Sequence, residues 1–366
     1  MKLFFFLIAF CLVSFRFYMA WSGKDEERRG VSVSNMVIKS DGLYEQIKYS
    51  GKFQLSDDET SFKSISPGGY FKYRKNDIKV EAESNLRGSI DYSIYDGNNY
   101  LSAESKGKEL LADAIKEIIR WGFDAEARME RVYQKGGPGA LLSEVDSVKT
   151  DQVKVLYLNR LLAIDSLVPE LLPVVITKVG SMGSDQFKIS FLNRIHPEQL
   201  RNPRVDSAYF AIVTGIGSDM EKVNALQYII NQDSIANAFA VRVLFIGSGL
   251  GSDMDKENVF NKMFEKNLIR DSLIDSLMNY TSRMGADMDK TNIYSKLINT
   301  NHLSEAQWIK LEDQVSLLGS DMDKSNMLVE IAKRMPKTEM VRAGYMKAAK
   351  TIGNDSDYGK VLRALN

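Results

Sequence analysis

The sequence is poor in the side chains that most often carry chemistry. Its 366 residues include one cysteine, Cys11, and two histidines, His196 and His302. Cys11 lies in an apolar stretch at the start of the chain, so a mature protein that had shed this stretch would have no thiol, no disulfide and no cysteine metal ligand. His196 and His302 fall at different phases of a repeat that fills the second half of the chain. A lone histidine near a helix end reads as structural or solvated, not as a zinc ligand or a general base. No Ser-His-Asp constellation, phosphate-binding loop or paired-histidine motif is present. Charge of one sign is also lacking: Lys+Arg and Asp+Glu number 48 each, which removes the global footprint of a nucleic-acid binder or of a protein adsorbed to an anionic membrane. These absences predict no catalytic residues, no cofactor, no metal and no nucleic-acid partner.

What is present describes a folded chain. Apolar residues make up 44% and charged residues 26%, the balance of an ordered, soluble protein. Residues 3–14 are almost wholly apolar, follow Lys2 and are closed by Arg16. Such a run suits the core of an export signal and falls short of the ~20 residues of a membrane span. Tyr18-Met19-Ala20 is a poor cleavage site at its first position, so an uncleaved anchor stands as the alternative. Phe10 before Cys11 argues against a lipoprotein site. Residues 24–29 read as a solvated linker.

From Val31 to about Ser102 the hydrophobic period is two. Leu43, Glu45, Ile47 and Tyr49 alternate with polar neighbours, as do Ile78, Val80 and Ala82, and then Ile90, Tyr92 and Ile94. This alternation predicts strands with one wet face. Asp41-Gly42, Pro67-Gly68-Gly69, Asn76-Asp77 and Asp96-Gly97 punctuate the runs and predict an antiparallel meander of six or seven strands. An amphipathic helix over about residues 108–121, with Leu110, Leu111, Ala114, Ile115, Ile118 and Ile119 on one side, is the expected cover, and Trp121 is expected to join it. Tyr70, Phe71, Tyr73, Tyr92, Tyr95 and Tyr100 could form a sugar or peptide platform, but cross-strand pairing accounts for them more simply.

The second half is dominated by a period of 34 residues marked by Asp151, Asp185, Asp219, Asp253, Asp287, Asp321 and Asp355. A glycine stands two residues before the marker at Gly183, Gly217, Gly251, Gly285, Gly319 and Gly353, and a lysine three after it at Lys154, Lys188, Lys222, Lys256, Lys290 and Lys324. A regular period of this length means stacked supersecondary units. Ser218, Ser252 and Ser320 read as helix N-caps, with Glu221, Asp255 and Asp323 placed to complete capping boxes. The marker then lies in the first helical turn, where the helix dipole favours a carboxylate. Val259, Phe260 and Met263, and their counterparts Ile293, Tyr294, Leu297 and Met327, Leu328, Ile331, form the buried face of the first helix. A second helix ends on an apolar residue before each glycine, and the glycine is expected in the left-handed C-cap conformation. The junction thus fuses one helix end to the next helix start, and stacking completes a core that no pair can close alone.

Asp253, Asp255 and Asn258, with their equivalents Asp287, Asp289, Asn292 and Asp321, Asp323, Asn326, have the superficial look of a calcium loop. In a calcium loop, however, glycine falls within the acids and a closing glutamate follows, whereas here glycine precedes them and a helix follows. The lysine opposes the helix dipole and so requires a partner. The expected partner is the marker aspartate of its own or the adjacent unit, which would form a ladder along one edge. A basic ladder for a polyanion is disfavoured by the acids beside it.

The unit length matches tetratricopeptide repeats, but their Trp, Leu-Gly, Tyr and Ala-Pro signature is missing. The Ser-Asp-Met-Asp-Lys string and the aliphatic run after it follow a sheet containing residues 69–84 and 90–97. Together they resemble poorly characterised exported bacterial proteins in which a β-meander precedes Ser-Asp-Tyr-Glu-Lys-type helical repeats; similar repeats occur with BlaR-type sensor domains. The resemblance spans about residues 69–366 and brings no catalytic residues, since the metallopeptidase motif of those sensors is absent. The expected organisation is α+β: a signal peptide or anchor at 1–22, a linker at 23–30, an antiparallel β-meander domain with its covering helix at 31–122, a capping helix pair at 123–150 around Gly136-Gly137-Pro138-Gly139, and an α-solenoid of 34-residue helix hairpins at 151–366. The expected function is an exported, non-enzymatic scaffold, periplasmic, secreted or associated with the envelope, that binds a protein or peptide partner. It would meet a membrane only if the N-terminal segment is retained. The alternatives are an anchored envelope sensor or regulatory module and, less favoured, an enzyme with a site between sheet and solenoid.

Overall fold

Alternation of period two gives way to helical spacing after residue 102, and the architecture changes at the same place. The computed structural model describes residues 33–40, 43–164 and 171–365. The expected signal or anchor with Cys11, the linker and the Asp41-Gly42 turn lie outside the described residues. The chain divides into two units, one through Ile119 and one from Arg120.

The first unit contains β1 (Val33–Ser40), β2 (Leu43–Ser50), β3 (Phe53–Leu55), β4 (Phe62–Ile65), β5 (Tyr70–Lys75), β6 (Ile78–Ser84), β7 (Ile90–Asp96), β8 (Asn99–Leu101) and helix α1 (Lys106–Arg120). Six strands form one antiparallel sheet in the order β1-β2-β5-β6-β7-β8. The chain does not make a single uninterrupted meander, because β3 and β4 leave the sheet as a separate two-stranded hairpin. The hairpin's neck is pinched where Ser66 N–H donates to the Lys52 carbonyl at 2.9 Å and Lys52 N–H donates to Ser66 Oγ at 3.0 Å. Gly51 passes through this neck at φ 106°, and a side chain on Gly69 would strike the Ser50 carbonyl at 2.8 Å. β2 therefore pairs directly with β5, Ser50 opposite Tyr70.

The register aligns the alternating residues into rows across the sheet. Ile47, Tyr73, Val80 and Ile94 face one another in turn, and all four are buried. Glu45 on the same face is buried and accepts the Tyr73 hydroxyl at 3.1 Å. Leu111, Ala114, Ile115, Ile118 and Ile119 of α1 are buried as well, whereas Leu110 is half-buried. The aromatics pack within the unit: Phe62 lies 5.1 Å from Phe71, and Tyr95 lies 5.6 Å from its cross-strand partner Tyr100.

The second unit opens with α2 (Ala125–Glu144), which is interrupted at Gly137 (φ 66°, ψ −160°) just before Pro138. Trp121 lies in this unit beneath the Lys149 ammonium, 4.9 Å from the ring centre. Six helix pairs follow: α3 (Asp151–Leu162) with α4 (Leu171–Val179), α5 (Asp185–Leu192) with α6 (Pro203–Gly215), α7 (Asp219–Ile230) with α8 (Ala236–Ser248), α9 (Asp253–Glu265) with α10 (Asp271–Thr281), α11 (Asp287–Thr300) with α12 (Glu305–Ser316), and α13 (Asp321–Ala332) with α14 (Glu339–Ala349). A single helix, α15 (Asp355–Leu365), closes the array. Each first helix packs on the first helix of the next pair, from α3 through α15, which makes a continuous layer. The second helices form the other layer, with α4 on α6, α8 on α10 and α12 on α14.

The periodic apolar residues meet in one core that runs from Met129 to Val361. Val175, Tyr209, Val243, Leu277, Leu311 and Tyr345 occupy the same phase in successive second helices, and none exposes any measurable surface. Trp308 in the fifth pair is also buried. Burial of each such side chain is worth about 1.5–3 kcal/mol, and its partners come from neighbouring pairs. The fold is therefore α+β, an antiparallel sheet unit followed by a stacked helical-repeat unit.

Candidate functional site at the repeat junctions

The string around each marker aspartate sits where a second helix ends and the next first helix begins. Ser184, Ser218, Ser252 and Ser320 cap the following helices through their hydroxyls, each accepting the N–H three residues on at 3.3–3.4 Å. This is half of a capping box. The expected return bond, from Glu221, Asp255 or Asp323 to the cap amide, is not made; that amide belongs instead to the marker of the preceding unit. Asp185 Oδ2 accepts Gly217 N–H at 2.9 Å and Ser218 N–H at 3.1 Å. Asp219 takes Gly251 and Ser252 at 2.7 and 3.4 Å, and Asp253 takes Gly285 and Ala286 at 2.6 and 3.0 Å. Asp287 takes Gly319 and Ser320 at 2.6 and 3.1 Å, and Asp321 takes Gly353 and Asn354, both at 3.0 Å. At the first junction Asp151 accepts from Ser184 at 2.7 Å. Asp151 thus staples its unit to the next through one backbone donor and the five later aspartates through two, at a helix N-terminus where the dipole also favours an anion.

The same geometry corrects the reading of the glycines. None of Gly183, Gly217, Gly251, Gly285, Gly319 and Gly353 has a positive φ. At the second junction the preceding residue, Ile216, leaves the helix in an extended conformation at φ −65°, ψ 133°, and at none of the six does the glycine form a left-handed C-cap. The carboxylate of the preceding unit crowds the position at Gly251 and Gly319, whereas at the other four junctions a Cβ would make ordinary contact with it. A Cβ on any of the six would lie 3.0–3.6 Å from the same Oδ2, and it would be tightest at Gly251.

The other carboxylate oxygen holds the lysine of its own unit. Lys188 reaches Asp185 Oδ1 at 2.9 Å, Lys256 reaches Asp253 at 2.8 Å and Lys290 reaches Asp287 at 3.3 Å. Lys154 and Lys324 stand farther off, at 3.7 and 3.8 Å, and Lys324 also donates to the Thr351 carbonyl at 3.2 Å. Lys222 makes no ion pair with a described residue. At five of the six junctions the ammonium in an unfavourable dipole position is thus compensated by the marker, one turn back along its own helix.

Protonation follows from these contacts. The Lys188 ammonium is the main influence holding the Asp185 carboxyl below its ordinary range; partial burial opposes it, and the Ser218 and Gly217 amides add to it. For Asp253 the largest single influence is burial, which pushes upward, but Lys256 and the Ala286 and Gly285 amides together outweigh it and the net direction is down. Asp287 is likewise lowered by Gly319, Lys290 and Ser320 against burial. Both oxygens of these markers are committed to the scaffold, which accounts for the calcium-like spacing without an ion. Among the described residues no three histidine, cysteine or acidic side chains gather as a metal-binding group. His196 caps the short 3₁₀ turn Pro197–Arg201 by accepting Glu198 N–H at 3.3 Å, and His302 is exposed.

Two further features were not singled out from the sequence. Glu312 in α12 is fully buried, both its oxygens lack a hydrogen-bond partner, and desolvation with the nearby Asp313 charge raises its pKa to about 8. It occupies the phase held by Ile176, Phe210, Leu244 and Met278 in earlier pairs, and that break in an apolar column was the available signal. The second feature is outward-facing: Met220, Met254, Met288 and Met322 follow the marker in four successive units and are 61–68% exposed.

No helix among the described residues is long and apolar enough to cross a membrane. No protein-family model matches the chain, and no curated protein is significantly similar to it.

Proposed function

We propose that the chain is an exported, non-enzymatic scaffold whose helical-repeat unit binds a protein or peptide partner. The carrying observation is the commitment of the marker carboxylates: Asp253 gives one oxygen to Lys256 and the other to Gly285 and Ala286, and Asp185 and Asp287 follow the same pattern. The most regular polar groups in the sequence thus serve to hold the units together. What the repetition then offers outward is surface, and stacked helix pairs are a general means of building an extended binding surface. Export is the reading of the apolar segment at residues 3–14, and N-terminal sequencing of the protein recovered outside the cytoplasm tests it.

The binding reading is tested by installing a photo-cross-linking amino acid, one position at a time, in the full chain in the cell that makes it. Met254 and Asn258 sample the layer of first helices; Val241 and Phe245, 65% and 61% exposed, sample the second. A protein trapped reproducibly from at least one layer is the expected result. Absence of any trapped protein from both layers overturns the reading.

A further inference from the structure

We propose that Glu312 makes the last helix pair of the array a pH-sensitive latch: with its carboxyl protonated α14 seats against α12, and loss of that proton frees α14, together with α15, from the end of the stack. Two departures from the repeat meet at one contact. The phase of Glu312 is apolar and buried in the four preceding second helices, at Ile176, Phe210, Leu244 and Met278. Gly344 of α14 falls at the phase held by Val174, Ala208, Arg242, Ser276 and Lys310, all of which carry a side chain. Glu312 exposes no measurable surface. A Cβ on Gly344 would collide with its Oε2 and stand 3.5 Å from its Cδ. The carboxyl therefore occupies the space that the missing side chain leaves between α12 and α14.

Nothing in that contact balances an ionised carboxyl. Neither oxygen has a hydrogen-bond partner among the described residues. On α12 itself, Glu305 lies two turns back, Lys310 is held by Asp275 at 3.0 Å, and the adjacent Asp313 adds like charge. On α14, Tyr345 gives its hydroxyl to the Val361 carbonyl at 3.0 Å, Lys347 pairs with Asp313 at 2.9 Å, and Glu339 and Arg342 are exposed. On α13, Asp321 and Asp323 lie in the first turn, Lys324 is engaged by Asp321 and the Thr351 carbonyl, and Glu330 accepts from Ser295 and Asn299 of α11. A bare carboxylate in such a place is unfavourable, whereas its protonated form is tolerated. Burial, and after it the Asp313 charge, accordingly raises the Glu312 pKa from 4.5 to about 8. Opening the contact to water releases the proton, so each pH unit between those values favours the open form about tenfold. The end of the array is the part able to yield, because its last unit has a neighbour on one side only and local opening takes the least supported segment first. The bond from Tyr345 to Val361 carries α15 with α14.

The test is hydrogen exchange of the full chain between about pH 5.5 and about pH 7.5, expressed as protection factors so that the intrinsic pH dependence of exchange drops out. The amides of α14 and α15 are expected to lose protection about tenfold per pH unit, while those of α8 and α10 keep theirs. Glu312→Gln preserves the shape and removes the ionisation, so protection of the same amides is expected not to vary with pH. His302, at the exposed start of α12, is unchanged in that variant, and its protonation cancels in the comparison. Gly344→Ala is expected to lower protection of α14 and α15 throughout the range, and Glu312→Ala/Gly344→Ala to restore it without pH dependence. Constant protection of α14 and α15 in the unmodified chain overturns the proposal, as does a slope in Glu312→Gln equal to the wild type's, a loss shared evenly by every helix, or wild-type protection in Gly344→Ala. The slope in the unmodified chain is decisive by itself if a variant fails to fold.

Discussion

Replacing Asp253 with alanine removes one complete staple and leaves its neighbours in place. In the wild type, Oδ2 accepts Gly285 N–H at 2.6 Å and Ala286 N–H at 3.0 Å, and Oδ1 holds Lys256 at 2.8 Å. A hydrogen bond to an ionised group contributes about 1.5–3 kcal/mol net. The two amide donors stand at a helix start that water can reach, so the lower end applies to each. The Lys256 pair is partly exposed and adds less than about 1 kcal/mol. The expected cost of Asp253→Ala is therefore about 3 kcal/mol, against about 0.5 kcal/mol for Asp255→Ala, which removes a carboxylate from the same helical turn without breaking a junction. Urea unfolding of the full chain followed by circular dichroism reads the difference. An array of nearest-neighbour units need not unfold in one step, so the loss is expected either as a lower midpoint or as a separated first transition. Equal midpoints for Asp253→Ala and Asp255→Ala would refute the reasoning, because the marker would then contribute no more than any first-turn acid.

Three other perturbations have definite expected outcomes. If close approach and not backbone conformation fixes the junction glycines, Gly251→Ala, whose Cβ would stand 3.0 Å from Asp219 Oδ2, lowers the melting temperature more than Gly285→Ala, where the gap is 3.5 Å; equal losses at both positions would favour a left-handed requirement. Glu312, with a pKa raised from 4.5 to about 8, retains its proton in the folded state after the unfolded chain has lost it, so wild-type stability falls as pH rises from about 4.5 to 8; Glu312→Gln is expected to flatten that limb in thermal melts, and an unchanged limb contradicts the assignment. Asp185, Asp253 and Asp287 are depressed below the ordinary 3.8, so their contribution is complete above that value and lost as pH falls beneath it. Lys188→Met/Lys256→Met/Lys290→Met should shrink this acid loss in the same melts, and an acid limb identical to wild type would speak against the pairs.

The period of the sequence carried the architecture, because a stack of near-identical units repeats its contacts at the same spacing. Met182, Ile216, Leu250, Met284, Leu318 and Ile352 could be assigned to the core from phase alone, and all six are buried. What the sequence could not display is the direction in which a side chain crosses between units. Ser252 and Asp255 have the spacing of a capping box, yet the Ser252 amide is taken by Asp219, 33 residues earlier, a contact that local rules do not contain. The glycine shows the same thing, since a tight turn and a close approach select the same residue. The β3–β4 hairpin was hidden for a related reason: Phe53 to Leu55 and Phe62 to Ile65 read like the short strands beside them, and only the pinch at Ser66 and Lys52 shows that the chain has left the sheet.

Hydrogen exchange of the junction amides in the unmodified protein is the most direct test of the account. The N–H groups of Gly217, Gly251, Gly285, Gly319 and Gly353 precede helices and lie at exposed residues, where backbone amides ordinarily have no partner and exchange freely. Bound to the marker of the unit before, all five should exchange slowly, together with the core helices on either side. Exchange of these five at the rate of an unstructured loop would contradict the claim that the aspartates join the units.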